Sequence, residues 1–133
     1  MEEVLAIALL VTVLSIGVSI YTLWQANPQR MQRLGRNAAV GMRSSATMKS
    51  DAAWNAGHSA AWPKVKQGSV LLLVGSLVST GVLPFTETNL GAVLWGATVC
   101  VSYVVYLWLL LVGFKHANRA AQNLATSAND TAA

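Results

Sequence analysis

Residues 4–24 read VLAIALLVTVLSIGVSIYTLW, with no Asp, Glu, Lys, Arg or His among them. An apolar run of about 21 residues makes a helix of roughly 30 Å, the thickness of a bilayer's hydrocarbon core. Glu2 and Glu3 precede the run, and Trp24-Gln25 close it. A secretory signal would open on basic residues and end on small ones at a cleavage site. The run is therefore expected to be an uncleaved transmembrane helix, with Tyr21 and Trp24 at headgroup level.

The rest of the chain repeats the pattern. All nine Lys and Arg residues lie either between Arg30 and Lys66 or at Lys115 and Arg119. The stretches 69–85 and 91–114 carry none and read as a second and a third span. Hydrophobic residues make up 54% of the 133 positions and charged ones 11%. A soluble domain of this length has too small an interior to hide that much apolar surface. The expected fold is an all-α membrane protein of three transmembrane helices. Residues 1–114 form its membrane domain, residues 25–68 a basic loop, and residues 115–133 a polar tail that ends in small polar residues and is expected to fray. The basic loop and the basic flank after the third span place the N-terminus outside and the C-terminus in the cytoplasm. Topology accounts for the net charge of +4, so nucleic-acid binding is not inferred from it.

The connections carry further signals. Asn27-Pro28 interrupts the first helix, and residues 28–34 read as a short helix capped by Asn27 and ended by Gly35. Met31 and Leu34 share one face of it, and Arg30 and Arg33 lie three apart on another, facing anionic lipid at the membrane surface. A second loop helix is expected from Ser50 to about Trp62, with Ser50 as N-cap, Asp51 at the positive end of the dipole and Pro63 as its stop or kink. Trp54, His58 and Trp62 then form a stripe. The second span is rich in small residues (Gly75, Ser76, Ser79, Thr80, Gly81), which suits the packed central helix and a hydrophobic peptide seated against it. Glu87 is the only charge in the tight connection that follows.

Chemistry has few places to live. Ion pathways and proton relays mark themselves with ionisable groups inside the bilayer, and the spans have none. Their Ser and Thr residues read as interhelical contacts rather than nucleophiles. His58 and His116 are far apart, Cys100 is the only cysteine, and no metal-ligand spacing surrounds any of them. Neither a cofactor nor a metal is expected, and no catalytic residue is assigned.

One stretch stands out, residues 37–58, NAAVGMRSSATMKSDAAWNAGH. It holds N-x-x-x-G-x-R, then T-x-x-S, then W-x-x-x-H. Gly41 permits a backbone turn that a side chain would obstruct. Arg43 is a planar five-donor fork for a carboxylate, a phosphate or backbone carbonyls. Thr47 and Ser50 are local capping groups, and Trp54 and His58 share a helix face. On one reading Arg43 pins the loop to helix-end carbonyls while Trp54 and Trp62 anchor at the interface. On the other, Arg43, Trp54 and His58 line a pocket for a ligand or partner segment.

This pattern resembles the signature of the SdpI family of bacterial membrane proteins, in its short single-domain form, and the order of one span, loop and two close spans agrees. Ser44 stands where the family commonly has Thr, a change that keeps the hydroxyl. The resemblance implies a non-enzymatic immunity protein of the bacterial cytoplasmic membrane that binds or excludes a membrane-active peptide. Asn37, Gly41, Arg43, Thr47, Ser50, Trp54 and His58 would be its ligand or partner-binding residues. An accessory subunit docking on other membrane subunits, or a tether for a soluble regulator, is the alternative. A lipid-acting enzyme would need His58 as acid or base with Arg43 as anion clamp, and no orienting group for the histidine is evident.

Overall fold

The computed structural model describes residues 2–37, 39–86 and 88–130, with Glu87 and the last three residues of the tail outside them. Four α-helices run in the order α1 (Glu2–Gln25), α2 (Pro28–Leu34), α3 (Asp51–Val82) and α4 (Asn89–Asp130), with a 3-10 turn at Leu83–Phe85 before α4. Among the described residues there is no strand, and α1, α3 and α4 are each long and apolar enough to cross a membrane.

The distribution of side chains identifies lipid as the solvent. On α1, Ile7, Val13 and Ile20 are more than half exposed, whereas Thr12, Ser15 and Ser19 are buried. Water would reverse that layout; hydrocarbon favours it, because a hydroxyl turned inward finds a partner. The Ser15 hydroxyl lies 2.9 Å from the Tyr103 hydroxyl and that of Thr22 lies 2.8 Å from Tyr106, joining α1 to α4. Thr12 approaches Ser79 of α3 to 3.5 Å. Most of these hydroxyls also bond a carbonyl one turn back, as Ser19 does to Ser15 at 2.8 Å.

The helix 28–34 has its expected limits. Asn27 Oδ1 accepts from the backbone N–H of Gln29 at 3.0 Å and of Arg30 at 3.4 Å, and Gly35 ends the helix at φ 65°. Met31 is buried while Leu34 stays exposed, so only part of the predicted face is covered.

Beyond it the structure departs from expectation. Residues 50–62 and 69–85 are expected as separate helices, yet a single helix α3 covers Asp51–Val82 and continues through Pro63. Proline removes one N–H, leaving the Ser59 carbonyl without its helical donor, but its φ is helical. Packing against α4 outweighs that loss. A Cβ at Gly113 would lie 3.3 Å from the Ala61 carbonyl oxygen and 3.1 Å from Val65, so α4 presses on α3 directly across the proline. Several small residues of α3 are used in the same way. Gly75 faces Ser102 without room for a Cβ, Gly68 abuts Leu109 and Tyr106, and Ser76 and Ser79 are buried. The second span is thus the central helix, touching both α1 and α4. Gly75, Ser76 and Ser79 are turned into the bundle, while Thr80 and Gly81 are exposed.

Residues 115–130 are a second departure. They extend α4 instead of fraying. Ala117 and Ala121 are buried, the first packed with Ala61 and Val65 and the second with Ala46 and Ala53. With 32 residues in α3 and 42 in α4, the two helices are roughly 48 and 63 Å long against a hydrocarbon core of about 30 Å. Both overhang the bilayer at the same end, and the basic loop folds onto that antiparallel pair.

Candidate functional site

Residues 35–50 make a compact loop whose backbone is held by side chains from both ends. The Asn37 carboxamide accepts from the N–H of Ala39 at 3.0 Å and of Val40 at 2.8 Å and donates to the Gly35 carbonyl at 3.0 Å, an Asx-type turn. Gly41 follows at φ 96°. A Cβ there would lie 2.7 Å from both His58 Nε2 and Trp54 Cη2, so the glycine is required by conformation and by contact alike.

Thr47 is fully buried and organises the next turn. Its Oγ1 donates to the Met42 carbonyl at 2.7 Å and accepts from the Ser44 N–H at 2.9 Å, while Ser44 Oγ accepts from the Thr47 N–H at 3.2 Å. The hydroxyl at Ser44 is therefore in use. Ser50 Oγ caps α3 by accepting from the Ala53 N–H at 3.0 Å. The side chain that clips the loop to the helix entry is Arg36. Its Nε donates to Asp51 at 2.7 Å and its Nη1 to the carbonyls of Met48 at 3.1 Å and Lys49 at 3.4 Å. Arg43 is exposed on the loop and also has an interaction partner there.

Trp54 and His58 sit one turn apart on α3 with ring centroids 4.2 Å apart. Trp54 is wholly buried and its Nε1–H donates to the Met31 carbonyl at 2.9 Å, fastening α2 to α3. It is not an interfacial anchor. His58 Nε2 accepts from the Met42 N–H at 2.9 Å, which assigns the ring proton to Nδ1, 2.8 Å from the Trp54 carbonyl. Both nitrogens are occupied and the ring is neutral. Burial away from water holds its pKa below 6.5, against a smaller upward pull from the Trp54 carbonyl. His58 precedes the stretch of α3 from Ser69 onward, which is uncharged.

His58 borders an apolar recess of about 180 Å³ that Arg43 and Trp54 do not line. Its walls are Met42 from the loop, Ala61, Trp62 and Val65 from α3, Leu110 from α4 and Ala26 after α1. Of the seven predicted site residues, Gly41 and His58 reach this recess, while Asn37, Thr47, Ser50 and Trp54 hold the loop that closes it. Met42, Ala61, Leu110 and Arg36 escaped the sequence reading. The stripe 54–58–62 pointed to Trp62, but an apolar residue on each of four segments leaves no spacing to find. Among the described residues no three His, Cys, Asp or Glu side chains are grouped to hold a metal ion.

The profile of the SdpI/YfhL protein family matches residues 33–113, from the end of α2 through the third span. No curated protein and no solved structure matches the chain. The chain therefore belongs to the SdpI/YfhL protein family and is a multi-pass membrane protein.

Proposed function

We propose that this member of the SdpI/YfhL family is an immunity protein of the bacterial cytoplasmic membrane that counters a membrane-active peptide without catalysing a reaction. Its N-terminus lies outside and its basic loop and C-terminus face the cytoplasm, in line with the positive-inside rule. The observation that carries the reading is the apolar recess at the junction of the bundle with the loop, bounded by all three spanning helices or their ends. At about 180 Å³ it has room for one large apolar side chain of a peptide, roughly six water volumes. A bulky apolar group anchored there is the usual source of most binding energy in such a contact. His58 offers no free nitrogen for acid–base work, which favours a binding role over an enzymatic one.

The test is survival of a sensitive bacterial host expressing the chain and challenged with a panel of membrane-active peptides. Protection against at least one peptide is expected. Ala26→Phe, which fills the recess, should abolish protection while the protein still accumulates in the membrane. Unchanged sensitivity to every peptide, with the protein present, overturns the reading.

A further inference from the structure

A second recess, of about 160 Å³, lies where α1 gives way to α2 and is lined by Trp24, Asn27, Gln29, Arg30 and Arg33. The Arg30 guanidinium carbon is 3.4 Å from the centroid of the Trp24 ring, so the planar cation is held flat on the indole. Its Nε is buried with no hydrogen-bond partner. No carboxylate pairs with Arg30 or Arg33 among the described residues, and the nearby Asp51 is taken by Arg36. Asn27 Oδ1 is spent on capping α2, which leaves its NH₂ group as a donor. The lining is thus rich in donors and free of acids.

Its depth in the membrane follows from the sequence. Trp24 closes the apolar run and marks the level at which lipid phosphates lie. Two guanidinium groups three residues apart on one short helix present converging donors at that level. We infer that this recess holds the phosphate of one anionic lipid headgroup, with Arg30 and Arg33 donating to its oxygens and Trp24 covering the adjoining glycerol. A zwitterionic lipid brings the same phosphate with an ammonium group that the two arginines repel, so an anionic headgroup is selected. The site is separate from the apolar recess and independent of the immunity role.

The test is native mass spectrometry of the full chain taken from mixed micelles of phosphatidylglycerol and phosphatidylcholine in equal amounts. The wild type should retain one phosphatidylglycerol in preference to phosphatidylcholine. Arg30→Gln with Arg33→Gln should lower that preference by about tenfold, the loss of one bidentate charged contact. Lys64→Gln with Lys66→Gln, which removes the same charge, should leave it unchanged. Equal loss in both double variants would show a diffuse charge effect and overturn the site. Displacement of the lipid by millimolar inorganic phosphate would make the ligand free phosphate and overturn the lipid assignment. Should the first double variant lose its helical circular dichroism, Arg33→Gln alone decides, because its side chain is exposed: it should still reduce retention, and full retention sinks the proposal.

Discussion

At the scale of single residues the loop depends on one glycine and one histidine. Gly41→Ala introduces a methyl group 2.7 Å from two rings at a positive φ, and the expected cost is about 2–3 kcal/mol. Gly35→Ala, at φ 65° with nothing within 4 Å of the new atom, should cost only the backbone strain of about 1–2 kcal/mol. Thermal unfolding of the two variants in detergent separates contact from conformation. His58 makes a pH-dependent contribution. Its folded pKa lies below 6.5, so the unfolded chain binds the proton first as pH falls. The stability tied to its neutral form is complete at pH 7 and above, and declines as pH drops from about 6.5 toward the folded pKa. Protonation places a hydrogen on Nε2 against the Met42 N–H and breaks that contact. The unfolding midpoint should therefore fall between pH 7.5 and 5, and His58→Ala should begin lower and slope less.

At the scale of elements, α3 and α4 are bound by close approach. Gly75→Ala should destabilise the protein by about 1–3 kcal/mol through collision with Ser102, and adding Ser102→Gly should recover a large part of that loss. A double-mutant cycle on unfolding midpoints checks it, and additive losses would mean the two helices do not meet there. The same pair of helices shows which features were legible in the sequence. Composition and charge placement located all three spans, and Asn27, Pro28 and Gly35 set the limits of α2, because those signals are local. The continuity of α3 through Pro63 was not legible. A proline is a strong local signal, and what overrides it is Gly113, fifty residues away on another helix. The tail was misread for the same reason. Ala117 and Ala121 look unremarkable until Gly57 and Ala53 lie opposite them. In the site, Trp54 and His58 were legible from their spacing and Gly41 from the motif that resembles the family signature, but their bonds join segments whose register only the fold supplies.

At the scale of the whole molecule, the basic loop, the start of α3 and the end of α4 assemble at one end. The proposed orientation has a direct test. With Cys100 replaced by Ala, single cysteines at Lys64 and Asn123 should react with an impermeant thiol reagent only after the cells are opened. Labelling of intact cells at either position would invert the topology. The length of α4 has a mechanical consequence. It runs from Asn89 to Asp130 with no proline, a single stiff rod of roughly 63 Å. A tilt of about 5° around the middle of the bilayer swings an end some 30 Å away through about 3 Å. Were α4 to tilt as one body, crowding on one side of the membrane would reach the seam between Ala117 and Gly57 on the other.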